Sequence, residues 1–264
     1  MEFWLLYLLT GIFAGFLAGL LGVGGGLVIV PVLTFIFSAQ HFPASHILHI
    51  ALGTSLASIL FTSMSSLRAH HAHGAVSWQV VRGITPGILA GTLLGTVLAA
   101  QLSSNFLKGF FVLFVYYVAA QMLLNIKPRP SRQLPGRGGM FGAGSVIGGV
   151  SSLVGIGGGT LSVPFMTWCN VKMHQAIGTS AAIGFPIAAA GAAGYAVNGL
   201  GVSGLPDYSL GFIYLPALGG LVFASVLTAP FGARLAHRLP VPQLRKAFAA
   251  LLIVLGTRML ISLF

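Results

Sequence analysis

Gly22-Val23-Gly24-Gly25-Gly26-Leu27-Val28-Ile29-Val30-Pro31 returns 133 residues later as Gly155-Ile156-Gly157-Gly158-Gly159-Thr160-Leu161-Ser162-Val163-Pro164. Further downstream His49-x-Ala51-x-Gly53-Thr54-Ser55 returns as His174-x-Ala176-x-Gly178-Thr179-Ser180 at an offset of 125, and Gly95 through Leu102 resemble Gly232 through Leu239 at an offset of 137. Glycine runs alone would be weak, because glycine is common in membrane helices; ordered repetition of separate motifs makes the chain an internal duplication. The differing offsets are loop insertions and deletions.

Composition says what kind of chain is duplicated. Of 264 residues, 56% are hydrophobic and 6% charged, 13 basic against 2 acidic. A soluble domain needs about a quarter of its residues charged to cover its surface. Apolar runs between the charges reach the roughly 20 residues that cross a bilayer as helix. The class is an all-α polytopic membrane protein. The net charge of +11 does not mark a nucleic-acid binder, because the basic residues are scattered at the ends of apolar runs, where they face lipid headgroups and set orientation. A single cysteine, Cys169, excludes an internal disulfide and any CxxC chemistry. The first residues lack a basic n-region, so the opening apolar stretch is expected to stay as a helix.

The seam is Lys127 to Arg137, polar, proline-rich and carrying four basic residues. It divides the chain into a first membrane repeat (1–126), a basic cytoplasmic linker (127–137) and a second membrane repeat (138–264). Apolar runs give five segments per repeat: 3–21, 27–38, 46–67, 78–100 and 105–125, then 138–154, 160–170, 174–198, 209–231 and 243–262. The second segment of each set is too short to cross a hydrocarbon layer about 30 Å thick. Each repeat is therefore expected to be a broken, re-entrant helical hairpin followed by three spanning helices, or eight to ten membrane segments in all. Counting outward from the basic seam puts Arg68 to His73 inside and the Asp207 loop outside, so the repeats have inverted topology, a transporter architecture.

A helix that starts inside hydrocarbon leaves its first amides without partners. Gly24, Gly25 and Gly26, and Gly157, Gly158 and Gly159, precede the short helices, and without Cβ atoms they let a ligand approach those amides. This favours an oxyanion held between two helix N-termini. Thr54, Ser55, Thr179, Ser180 and Thr160 add hydroxyls that could donate to it or bond back to helix carbonyls. Gly22, Pro31, Gly155 and Pro164 are expected to shape the motif, not to touch the ligand. His49 and His174 are candidates for proton coupling or for plain hydrogen-bonding in the core. His70, His71 and His73 beside Arg68 have no carboxylate to complete a metal site, and Trp78, Trp168, Phe185 and Tyr195 read as interface or packing residues. With only Glu2 and Asp207 as acids there is no hydrolytic pair, no HExxH and no phosphate loop ending in GK[ST], so neither an enzyme nor a cofactor is expected.

The duplicated glycine-proline motif, the later Gly-Thr-Ser units and the basic end before the last helix together resemble the sulfite exporter TauE/SafE family, the TSUP permeases, over about residues 5 to 263. The resemblance implies a multi-pass inner-membrane permease of a bacterium or archaeon. Its cargo would be small sulfur-containing anions such as sulfite, thiosulfate, sulfoacetate or other organosulfonates, and its surroundings membrane lipid. It carries over onto Gly22, Gly24, Gly25, Gly26, Pro31, Gly155, Gly157, Gly158, Gly159, Pro164, Thr54, Ser55, Thr179 and Ser180. Alternating access by a monomer or homodimer is the main expectation. An anion channel, or a membrane assembly subunit whose glycines only pack helices, stays open beside it.

Overall fold

The computed structural model describes residues 2–21, 25–124, 131–236 and 241–263, so Gly22 and Gly24 of the first motif and residues 125–130 of the seam lie outside the described residues. Among the described residues the chain forms α1 (Glu2–Leu21), α2 (Gly26–Ala39), α3 (Ile47–Ala72), α4 (Trp78–Gln101), α5 (Ser104–Leu123), α6 (Arg137–Val154), α7 (Gly159–Trp168), α8 (Met173–Gly199), α9 (Leu215–Ala236) and α10 (Val241–Ile261). The boundaries follow the apolar runs, with one difference. The run from 209 opens with a hairpin, β1 (Ser209–Leu210) and β2 (Ile213–Tyr214), and the helix starts only at Leu215. Gly211, with φ of 54°, makes that turn. Among the described residues six helices, α1, α3, α4, α5, α8 and most of α9, are long and apolar enough to cross a membrane. Leu94 and Leu113, 71% and 69% exposed, belong to an apolar outer surface suited to lipid. The protein is a multi-pass membrane protein.

The duplication is built into the packing. α1 lies along α9, and α6 lies along α4, so the first helix of each repeat docks on the fourth helix of the other. Equivalent residues make equivalent contacts. Gly11 faces Leu221 as Gly144 faces Ile84, Gly15 faces Ser225 as Gly148 faces Ile88, and Gly232 faces Phe16 as Gly95 faces Gly149. Each of these glycines lets two helix backbones touch. The long α3 and α8 run antiparallel through the centre, with Gly53 against Tyr195, Leu56 against Gly191 and Gly184 against Ser63. A rotation that exchanges two antiparallel spanning helices has its axis across them, which is the inversion expected from the charges.

The hairpins are asymmetric. At their open end Gln40 Nε2 donates to the Tyr7 hydroxyl at 2.8 Å, so α1 and α2 begin and end at the same level. α1 reaches down to Gly232, near the end of α9, whereas Gly25 at the head of α2 sits beside the Ala14 carbonyl, about halfway along α1. The first arm is a full-length helix and the second a half-length helix starting at mid-depth. The second repeat copies this, with Gly158 at the head of α7 beside Ile147 of α6.

Charge separates by side. Arg68 ends α3, Arg82 begins α4, and Arg132 is tied to the end of α7 by its amide on the Trp168 carbonyl at 3.3 Å. Lys172 precedes α8, and Arg234 lies in the last turn of α9 at the same end. At the opposite end Asp207 is exposed in the loop after α8, and Lys108 donates to Ser262 where α5 meets the end of α10.

Candidate functional site

The short helices begin on glycine for a backbone reason. Gly25 and Gly158 take φ of 73° and 76°, the left-handed region that side chains resist, and turn the chain sharply into α2 and α7. Their carbonyls accept the first helical bonds, Gly25 from Val28 and Ile29, Gly158 from Leu161 and Ser162. Neither helix has a side-chain cap at its start. Pro31 and Pro164 sit at equivalent places inside α2 and α7 and, lacking an N–H, leave a carbonyl one turn earlier without its helical donor.

The two motifs meet. Gly26 lies against the Gly155 carbonyl and Ile156, so tightly that a Cβ there would collide with backbone. The Gly155 carbonyl also accepts the Ser55 hydroxyl at 2.8 Å, and Gly155 itself, φ 70°, packs under Leu52 and Val30. Gly155 through Thr160 are all buried. The helix starts are therefore brought together between the repeats.

A small cavity opens beside this junction, lined by Ala18, Ile59, Thr62, Ser63, Ser66, Gly157, Ser180, Ala181 and Gly184. It belongs to the C-terminal half of α3 and the N-terminal half of α8, on the basic side of the molecule. It leaves about 10 Å³ to the centre of a water-sized sphere, room for about one water. The lining carries hydroxyls and the Gly157 backbone, and no charged side chain. Thr62 Oγ1 lies 3.0 Å from the Ser58 carbonyl and 2.8 Å from Ser225 Oγ of α9; Ser63 donates to Leu60. Ser66 is 3% exposed and its Oγ has no hydrogen-bond partner, an expensive arrangement unless a ligand or solvent meets it. The buried hydroxyls of Ser151, beside Gly158, and of Thr160 and Ser162 in α7 are also without partners.

The described part of the position related to this cavity by the repeat is filled by side chains. Where α3 has Thr62, Ser63 and Ser66, α8 has Ile187, Ala188 and Gly191. The Ile187 side chain lies against Gly158 and the Leu56 side chain against Gly191. The glycine motifs are duplicated, but the α3 hydroxyls of the cavity have no counterparts in α8.

The other residues picked out in the sequence divide by what their atoms bond. Thr54 Oγ1 accepts the Tyr214 amide at 3.0 Å, and Thr179 Oγ1 accepts the Ser77 amide at 2.9 Å. These are equivalent bonds, each fixing the approach to the fourth helix of the other repeat. Ser180 donates to Ile177 and alone of the four Gly-Thr-Ser hydroxyls lines the cavity. His49 Nε2 lies 3.0 and 3.1 Å from the Ala99 and Leu102 carbonyls, so it donates to the end of α4, while His174 is exposed at the start of α8. Neither lines the cavity. Thr62, Ser63 and Ser66 were not singled out from the sequence, although Ser58, Thr62, Ser63 and Ser66 form a polar stripe at helical spacing in an otherwise apolar helix.

The profile of the sulfite exporter TauE/SafE family matches residues 7–259. A probable membrane transporter protein of Haemophilus influenzae is 40% identical over 99% of both chains. One of Methanocaldococcus jannaschii is 25% identical over 97% of this chain and 95% of its own, and YunE of Bacillus subtilis, also named a probable membrane transporter protein, is 29% identical over 63% of this chain and 67% of its own. No solved structure gives a significant match. A duplicated all-helical bundle with buried helix starts at its centre, matched along almost its whole length by this profile, belongs to the sulfite exporter TauE/SafE family of membrane transporters.

Proposed function

We propose that the chain is a permease for small sulfur-containing anions, such as sulfite, thiosulfate, sulfoacetate or another organosulfonate, and that it works by alternately exposing the space between its repeats. The observation that carries this reading is the inter-repeat cavity, where the Gly157 backbone and the hydroxyls of α3 and α8 line a buried, uncharged space in which the Ser66 hydroxyl has no partner. Helix starts and hydroxyls are the groups that hold an oxyanion without a fixed counter-ion. With basic ends facing the cytoplasm, the cavity lies on the cytoplasmic side of centre.

Alternation is favoured over an open channel by the same geometry. The cavity is water-sized, so a sulfonate needs α3 and α8 to separate before it can enter or leave. The test is flux of sulfite, thiosulfate and small sulfonates into proteoliposomes, with and without imposed pH and voltage gradients. Saturable flux with counter-exchange supports the permease; non-saturating flux supports a channel, and no flux for any of these anions defeats the reading.

A further inference from the structure

We infer that this cavity selects anions carrying a single negative charge, hydrogensulfite and monosulfonates, over dianions such as sulfate, which narrows the cargo named above by disfavouring thiosulfate and sulfoacetate, both dianions at neutral pH. The inference rests on the permease reading and concerns the same site. Its ground is the lining: Thr62, Ser63, Ser66 and Ser180 offer hydroxyls and Gly157 offers backbone, and none offers a cation. Stripping water from an ion becomes harder as the square of its charge, while attraction to fixed neutral dipoles grows only in proportion to it. Without a counter-charge, the second charge of a dianion adds more penalty than attraction.

The buried, unpartnered Ser66 hydroxyl is an independent sign that a ligand completes the cavity. The Ser66 hydroxyl can donate or accept, and those of Thr62, Ser63 and Ser180, which bond helix carbonyls here, can turn to do the same, so the lining suits an acceptor-only sulfonate and a hydrogensulfite that still carries a proton. A guanidinium or ammonium could only donate.

The charged and titratable groups on the surrounding elements stand outside the lining. On α3 they are His49 near its start, Arg68 and His71, exposed, and His70, buried one turn beyond Ser66; on α8 Lys172 and His174 sit at its start and Tyr195 near its end; on α9 Arg234 is in the last turn; on α1 Glu2 and Tyr7 lie at the end away from Ala18. α7 contributes none, and α6 carries only Arg137 at its far end. Among these groups His70 is the buried one nearest in sequence to the lining, and the experiment is designed around it.

Proteoliposomes containing the full chain are loaded with sulfite, and uptake of labelled sulfite is competed with methanesulfonate, a monoanion at every working pH, and with sulfate, a dianion at every working pH. Methanesulfonate should compete at least tenfold better than sulfate, with an affinity that does not change with pH. The apparent affinity for total sulfite should fall as pH rises through its second ionisation, unchanged in His70→Gln. Ser66→Ala, which removes an unpaired hydroxyl and should leave thermal stability intact, should weaken methanesulfonate and sulfite alike by about five- to tenfold. Sulfate competing as well as methanesulfonate would overturn the inference. So would parallel pH dependence for methanesulfonate and sulfite, because the selecting charge would then lie on the protein. An unaffected Ser66→Ala would place the site elsewhere. Absence of any sulfite uptake would instead sink the permease reading beneath it.

Discussion

Gly158 combines two constraints that a single alanine substitution cannot separate. Its backbone is left-handed, which costs a residue with a Cβ roughly 1–2 kcal/mol, and the Ile187 side chain occupies the place where that Cβ would go. Loss of transport in Gly158→Ala therefore says little about ligand binding. Gly26 is sharper still: its Cβ would strike the Gly155 carbonyl, which has no freedom to move aside, so Gly26→Ala is expected to abolish the monodisperse folded protein in detergent. The Gly-Thr-Ser units give a paired prediction. Thr54→Val and Thr179→Val each strand a backbone amide of the other repeat, and each should lower stability by about 1–3 kcal/mol in thermal or denaturant unfolding. Similar losses are expected because the bonds are equivalent; a loss at one site only would contradict the pseudo-symmetry. The pairing of these units was legible in the sequence. Their bonds were not, because each partner amide lies in the other repeat, 160 residues away for Thr54 and 102 for Thr179.

At the scale of the helix, glycines on one face behave differently from those beside them. A Cβ on Gly144 or Gly148 would run into Ile84 or Ile88 of α4, one on Gly149 would make ordinary contact, and one on Gly142 would meet open space. Alanine at Gly144 or Gly148 should therefore sharply reduce the folded fraction measured by size-exclusion chromatography, while alanine at Gly142 or Gly149 should not. His49 makes a related point. Its Nε2 binds the carbonyls that end α4, so His49→Leu is expected to lower stability and leave the pH profile of transport unshifted; a shifted profile would restore the proton-coupling reading. Helix limits were readable because apolar runs and their breaks coincide with helices in a membrane chain. The start of α9 was not, since the β1–β2 hairpin is as apolar as the helix it precedes. The cavity hydroxyls do not stand out by repetition, because Thr62, Ser63 and Ser66 have no counterparts in α8.

For the whole molecule, inversion and sidedness are linked. If the Arg68, Arg132 and Lys172 end faces the cytoplasm, a cysteine placed at Tyr208 should react with an impermeant maleimide added outside cells, and one placed at Gly74 should react only after the membrane is opened. The native Cys169 is buried, and that burial raises its thiol pKa, which slows the background reaction at neutral pH. The reverse pattern would invert the topology and move the cavity to the outer side. In the proposed alternating mechanism, the interlocking of α1 with α9 and α6 with α4 favours motion of α3 and α8 within the bundle over two halves swinging apart. The most direct test of the central claim is a density map of the purified protein saturated with sulfite. The account predicts density touching Ser66, Ser63 and the Gly157 backbone, with α3 and α8 further apart than here; an ordered sulfite elsewhere, with this cavity still closed, would contradict it.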